Sequence, residues 1–382
     1  MTTPLSSPET VVVIGGGFAG LCSALAVSER LPERPVLLIE PRDRFLFLPL
    51  LYELLSGELQ SWEVAPTYRQ LLSSRGICWL QDRVISIDLN NKELTTAASG
   101  ALQWGDLVLA TGTELNDFGV PGVREHACSF RDLNDVAHLR ALVRELKKRR
   151  TPDAAVAIVG AGPTGVELAC KLADMLDGAA RIHLIERGDG ILPNSASFNR
   201  ERAAAALERR DVCLHLNTAV TEVLADRVRF MDGTLLPHCG LIWSAGSSPT
   251  VPDIRPDPDH AKGPLKIGRD LRLLGHQHVY VLGDCGRCSV EPWPATAQVA
   301  MQQGEAVAAA LQATSNNQEP KPFQFQDRGE MLSLGIGDAT LTGLGITLAG
   351  PLAFKIRRAT YLTRLPGLSL GLRSAGAWLM SR

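Results

Sequence analysis

The sequence predicts an α/β protein built from two domains of one plan, each a parallel sheet flanked by helices. Three observations carry that reading. First, an apolar run from Val11 to Ile14 enters Gly15-Gly16-Gly17-Phe18-Ala19-Gly20, and another from Val156 to Val159 enters Gly160-Ala161-Gly162-Pro163-Thr164-Gly165. Second, the next apolar run after each turn ends in an acid, Glu40 and Glu186. Third, the closing run from Leu107 to Gly112 has a counterpart in the run from Leu241 to Gly246. Glycines at these spacings turn the chain tightly, let the backbone approach a pyrophosphate, and allow a helix to pack close to its strand. The helix start then faces an anion with free N–H groups and a partial positive charge. One such turn alone is weak evidence. Two complete ones, each with its strand and acid, specify two Rossmann-like dinucleotide-binding domains.

The remaining elements follow in order. Residues 11–40 read as strand, helix, strand, and residues 41–82 as richer in helix. A short strand over 83–88 meets the Asn90-Asn91 turn signal, so a hairpin is expected. Residues 107–110 are a buried strand ending in Thr111-Gly112, and a helix covers 132–150. Thr151-Pro152 separates it from the second fingerprint. Residues 156–245 then repeat the plan, with a helix over 199–210 and a hairpin at Asp232-Gly233. Residues 250–264, rich in Pro and Asp, read as a linker loop. Residues 279–282 form one more strand, followed by Gly283-Asp284 and a helix from Ala295 to about Leu311.

Composition bounds the function. A chain of 382 residues, 45% hydrophobic and 21% charged, is globular and long enough for a large core. The net charge of −2 excludes a generally basic nucleic-acid binder. No acid follows Asp338, while Lys355, Arg357, Arg358, Arg364, Arg373 and Arg382 make the tail basic. No uninterrupted apolar run of about 18 residues predicts a spanning helix. No signal peptide is expected, since the first strand begins soon after a short polar lead. The eight cysteines, scattered apart from Cys285 and Cys288, suit reduced thiols in a cytosolic compartment.

Gly283-Asp284 adds a further element, because an aspartate at a strand end can hold the ribityl chain of a flavin. In order, the first fingerprint, Ala110-Thr111-Gly112, the second fingerprint and the stretch from Tyr280 to Asp284 resemble the two-dinucleotide-binding-domain flavoproteins of glutathione-reductase-like fold. The resemblance covers residues 11 to about 310. It implies FAD on the first fingerprint and Asp284, and NADH or NADPH on the second. It also implies a split FAD domain, 1–115 and 265–325, with an inserted NAD(P)H domain, 116–264; the basic tail, 326–382, is read apart from it as a C-terminal membrane-association region. Two stretches narrow it: Gly162 to Ala169, which includes Glu167, and Ala297 to Gly304, which includes Gln298 and Gln302. They look like the type II NADH dehydrogenases, which pass electrons from NAD(P)H through FAD to a quinone. Residues 50–66 look more like the cyanobacterial and plastid branch, which reduces naphthoquinones such as demethylphylloquinone.

That resemblance implies catalytic roles for Glu167, Gln298 and Gln302. Carried over position by position, the cofactor contacts are Gly15, Gly17, Phe18, Ala19, Gly20, Glu40, Pro41, Arg42, Val84, Ala110, Thr111, Gly112, Asp284, Ala297 and Gln298 for the flavin. Gly160, Gly162, Pro163, Thr164, Gly165, Glu186, Ala245 and Gly246 are those for the nicotinamide nucleotide. Two plainer readings stand beside these: Glu167 as a helix-surface carboxylate, and Ala297 to Gly304 as a helix start only. No metal site is expected, since no second Cys or His pair lies at ligand spacing and His276 and His278 suit a loop. Cys285-x-x-Cys288 is not where disulfide reductases of this fold carry their redox pair.

In the tail, Leu368, Leu372, Ala375 and Leu379 fall on one helical face near Trp378, with Arg373 and Arg382 flanking them. This fits an interfacial helix on an anionic membrane surface, and the plainer reading is a helix packed on the protein's own sheet. The expected enzyme is therefore a peripheral NAD(P)H:quinone oxidoreductase on the cytoplasmic side of a thylakoid or plasma membrane. A homodimer is left open. The rivals are a soluble reductase of a ferredoxin, with the tail used for dimerisation, and a flavin-bearing redox sensor.

Overall fold

The strands after which the two glycine fingerprints stand are buried on both faces, as central strands of parallel sheets are. The computed structural model describes residues 7–258 and 263–364. The chain divides into two units. The first holds the chain up to Leu46, with Ala65–Glu114 and Ser247–Asp327. The second holds Phe47–Val64 and Leu115–Gly246, with the chain from Arg328 onward.

In the first unit Val11–Ile14 lies between Val36–Ile39 and Asp106–Leu109, with Ile77–Leu80 and Val279–Val281 outside them, all parallel. The helix Phe18–Arg30 packs against the helix Ala297–Ser315. Gly304 allows that approach: a Cβ there would lie 2.8 Å from the Ser23 nitrogen and 2.9 Å from the Ala19 oxygen. A second, four-stranded sheet holds Val84–Asp88, Glu93–Thr96 and Gly100–Gln103, with Asp253–Arg255 added in parallel. The segment read as a linker thus carries a strand, which the flanking Pro and Asp residues hide in the sequence.

The second unit repeats the plan. Ala155–Val159 lies between Arg181–Ile185 and Gly240–Trp243, with Cys213–His215 and Ala127–Cys128 at the edges, all parallel. It also holds an antiparallel sheet of Val220–Val223, Arg227–Phe230 and Leu235–Pro237.

The units cut the chain at points other than the boundaries drawn on the sequence. Residues 47–64 join the second unit, where the Tyr52 ring meets Phe130 at 5.1 Å and Arg140 donates to the Leu55 carbonyl at 3.0 Å. The basic tail is also structured in part. Glu330–Ser333, Ala339–Gly343 and Ile346–Ala349 form an antiparallel sheet, and the helix Pro351–Arg364 follows. The tail positions Leu368, Leu372, Arg373, Ala375, Trp378, Leu379 and Arg382 lie outside the described residues.

Candidate active site

Each fingerprint closes the same way at the atomic level. Gly15 and Gly160 have φ of +95° and +101°, values that only glycine adopts readily. A Cβ on Gly20 would lie 1.8 Å from the Gly15 oxygen, and one on Gly165 would lie 1.8 Å from the Gly160 oxygen. The third glycine of each fingerprint therefore seats the helix on the loop. A Cβ on Gly17 or Gly162 would meet nothing within 4 Å. These second glycines border open space at the starts of Phe18–Arg30 and Pro163–Leu176, and neither helix has a side-chain cap. Pro163 suits its place, because the first helical turn needs no N–H from it. Open glycines beside uncapped helix starts fit a bound pyrophosphate.

The two acids do more than the sequence implied. The Gly16 N–H donates to Glu40 Oε2 at 2.7 Å, and the Ala161 N–H donates to Glu186 Oε2 at 2.7 Å. Each glutamate thus pins the middle of its own glycine loop. They differ in what remains. Glu40 also accepts from Arg42 three times, at 2.8 to 2.9 Å, which fills its acceptor positions. Burial pushes the Glu40 carboxyl up, but Arg42 and the Gly16 amide outweigh it, and the net shift is downward. A ribose contact at Glu40 needs the half-exposed Arg42 side chain to swing away. Among the described residues Glu186 accepts one further bond, from the Gly188 N–H at 2.7 Å, so it keeps acceptor capacity for a ribose diol.

Around the first fingerprint, Phe18 meets Phe45 edge-on at 5.2 Å, and Ala19 lies buried against the start of its helix. The Pro41 carbonyl accepts from Gln81. Val84 is buried at the start of its strand. The Ala110 carbonyl approaches Gly15 so closely that a Cβ there would lie 2.4 Å from it, and Thr111 and Gly112 continue from that strand end. Asp284 sits in the short turn Gly283–Cys285 after its strand. Gln303, which the sequence reading passed over, accepts from the Gly283 N–H at 2.6 Å and fixes that turn.

Ala297 and Gln298 open the helix capped by Thr296, so this stretch is indeed a helix start, and Gln298 is half-buried there. The Gln302 amide is clipped to the backbone of Gln326, donating at 2.9 Å and accepting at 3.0 Å. In the second unit, Thr164 lies in the first turn of its helix, and Ala245 and Gly246 follow the strand Gly240–Trp243. Ser244, also missed, donates to the carbonyls of Val159 and Gly160.

Glu167 is not a surface carboxylate. It is 6% exposed and accepts from the Ser333 N–H at 2.6 Å. The Arg357 guanidinium lies 3.7 Å away, and the Tyr52 hydroxyl faces it. Burial raises the Glu167 pKa to about 7, although Arg357 and the Ser333 amide work against that rise. Arg357 itself is 1% exposed, ion-paired with Glu53, and held by the Pro49 carbonyl at 2.7 Å. No local pattern in the sequence marks Glu53 or Arg357, since they meet only through the fold. One basic charge of the tail is therefore used inside the second unit and is not available to a lipid surface.

A sequence model of the pyridine nucleotide-disulphide oxidoreductases matches residues 9–304. The chain is 35% identical over 393 residues to the demethylphylloquinone reductase NdbB of Synechocystis, covering 97% of each. It belongs to the type II NADH:quinone oxidoreductase family. The oxidoreductase is also 32% identical to the alternative NAD(P)H-ubiquinone oxidoreductase C1 of Arabidopsis thaliana, covering 95% of this chain and 79% of the relative. Its fold matches that of a solved NDH2 of Plasmodium falciparum in complex with NADH, at a TM-score of 0.85 and 18% identity, covering 96% of both chains.

Two further features of this type II oxidoreductase bear on its chemistry. Cys285 and Cys288 are free, buried thiols. The Cys285 thiol is pushed up by burial and donates to the Leu282 carbonyl, which suits packing better than dithiol exchange. Among the described residues no helix is long and apolar enough to cross a membrane, and no cluster of His, Cys, Asp and Glu forms a metal site.

Proposed function

We propose that this type II oxidoreductase reduces a naphthoquinone of the demethylphylloquinone class with NAD(P)H, at the cytoplasmic surface of a membrane. The observation that carries the reading is the pair of intact fingerprints, each with its open second glycine and its pinned acid. The likeness to the NdbB reductase over nearly the whole of both chains supports the quinone class. FAD, when bound on the first fingerprint, supplies the two-electron chemistry that links nicotinamide oxidation to quinone reduction. The chain's own residues bind and orient. Uncapped helix starts hold the pyrophosphates, and Gln303 fixes the turn that presents Asp284 to the ribityl chain. Gln298 and Gln302 are the amides offered to the quinone, and Gln302 does so only when its clip on Gln326 opens. Nothing in this scheme pumps protons.

Membrane contact is proposed for the C-terminal part. Leu344 is 84% exposed at a hairpin with Ile346 also exposed after it, Leu352 is exposed at the start of the following helix, and Lys355 adds a cation. Apolar insertion with basic flanks favours an anionic surface. The deciding experiment is stopped-flow reduction of the purified flavoprotein by NADH and by NADPH, then reoxidation by a panel of quinones in acidic liposomes. Fastest reoxidation by a naphthoquinone supports the reading. Faster reoxidation by a ferredoxin than by any quinone overturns it.

Nucleotide choice should follow Glu186. Its spare acceptors suit a 2′-hydroxyl and repel a 2′-phosphate, so NADH is favoured. In Glu186→Ser, both nucleotides should bind more weakly, because the Ala161 amide loses its partner. The ratio of kcat/KM should still move toward NADPH by about tenfold, the scale of one lost or relieved charge contact. An unchanged ratio would place this carboxylate away from the ribose.

A further inference from the structure

We propose that Glu53 is a positioning residue that, by holding Arg357 in a direct ion pair, keeps the neighbouring Glu167 carboxyl protonated. The inference deepens the quinone-reductase reading and rests on it for its chemical use.

The buried charges around Glu167 are shared unequally. Around Glu167 stand Glu53 on the helix Leu51–Ser56, Glu58 just after it, and Glu63 on Ser61–Val64. The nearby cations include Lys171, one turn along from Glu167, Arg357 and Arg358 on Pro351–Arg364, and Arg140, which is held by the Leu54 and Leu55 carbonyls. Lys171, fully buried, is ion-paired with Glu58 at 2.6 Å and also donates to the Gly335 carbonyl. Half-buried Arg358 faces Glu63, Glu58 and Glu53. Arg357 is committed to Glu53. Asp174, further along the Glu167 helix, has its own partner in Arg210 at 2.7 Å. Lys171 and Arg357 thus make their short ion pairs with Glu58 and Glu53, and Glu167 is left with Arg357 at 3.7 Å.

Its surroundings suit a neutral acid. Arg357 is the nearest cation, at 3.7 Å, and its guanidinium is already engaged by Glu53 and Pro49. The other neighbours are the Ser333 amide, the Tyr52 hydroxyl, itself bonded to Thr164, and the Tyr361 ring, over which Arg357 lies at 4.9 Å. An amide donating to one carboxyl oxygen and a hydroxyl facing the group can satisfy a protonated carboxyl as well as a carboxylate. An ionised carboxylate buried without its own cation is costly, and proton uptake relieves that cost.

The held proton has a use. NAD(P)H + H⁺ + quinone gives NAD(P)⁺ + quinol, so each turnover takes one proton besides the hydride. Glu167 holds such a proton near neutral pH, and solvent restores it after donation.

The test is infrared titration of the full-length flavoprotein labelled with ¹³C-glutamate, comparing wild type with Glu167→Gln. Wild type should show a protonated carboxyl band, missing in the variant, that fades around neutral pH. In Glu53→Gln, Arg357 is released to Glu167, and the band should fade at least about one pH unit lower. In the double variant Glu53→Gln with Arg357→Met, both charges are gone, and the band should persist to higher pH than in wild type. Shifts of opposite sign are not what general loosening of the fold produces. Absence of the Glu167 band in wild type at pH 6 overturns the proposal, as does the same titration in all three proteins. The infrared result does not depend on turnover. A titrating band without quinone reduction would sink the functional reading alone.

Discussion

Replacing Arg357 by leucine is expected to destabilise the protein by about 3–5 kcal/mol, the range for removing one partner of a buried ion pair. The loss is not that of a contact. It is the cost of leaving the Glu53 carboxylate, 0% exposed, without a counter-ion. The Pro49 carbonyl and the Tyr361 ring also lose the guanidinium that packs on them. Glu53→Gln combined with Arg357→Met should recover most of the loss, because removing both charges removes the uncompensated burial. Urea unfolding followed by tryptophan fluorescence reads this. A loss below about 1 kcal/mol for Arg357→Leu would place it with exposed pairs and show that Glu53 is compensated elsewhere.

Gly20→Ala should be as damaging, by another route. Its Cβ would stand 1.8 Å from the Gly15 carbonyl oxygen, against an ordinary contact near 3.4 Å. Neither partner is a flexible side chain, so the helix Phe18–Arg30 must move off its loop. The cost is on the order of 4 kcal/mol or more, among the exceptional single substitutions. Gly17→Ala is the matched control. Its Cβ meets nothing in the protein, and its φ of −66° suits any residue, so the fold should survive. The methyl group would instead occupy the space assigned to the pyrophosphate. Thermal melting and the flavin retained through gel filtration separate the two. Gly20→Ala should lower the melting temperature sharply, whereas Gly17→Ala should keep it and release flavin. Equal retention of flavin by Gly17→Ala and wild type would show that the cofactor lies elsewhere.

The duplicated parallel sheets were legible because short-range chemistry specifies them. A glycine at a positive φ, a helix start and a strand-end acid fall within about 25 residues of one another. The four-residue core strands Val11–Ile14 and Val36–Ile39 are apolar throughout, as burial on both faces demands. Asp253–Arg255 was illegible because it is short, lies at a sheet edge, and is followed by Pro256. The antiparallel sheet over residues 330–349 was hidden by its glycines, which lower strand propensity while serving its turns. At the site, the glycines and acids stood out, and their partners did not. Gln303 differs from Gln302 only in which side of its helix meets the protein, and that depends on how the helix packs. Glu53 and Arg357 carry no local signal, being 304 residues apart.

That separation reaches back to the ribosome. At roughly 5–20 residues per second, the chain needs roughly 15–60 s to extend from Glu53 to Arg357. Burying the helix Leu51–Ser56 before then would strand a carboxylate in an apolar interior. The strand Val279–Val281 and the helix Ala297–Ser315 impose a similar delay on the sheet that begins at Val11. Neither unit is completed in the order of synthesis. The nascent chain must hold its first sheet unfinished while Val279–Val281 is still being made, and a message truncated before the Arg357 codon yields a polypeptide without the ion-pair partner of Glu53.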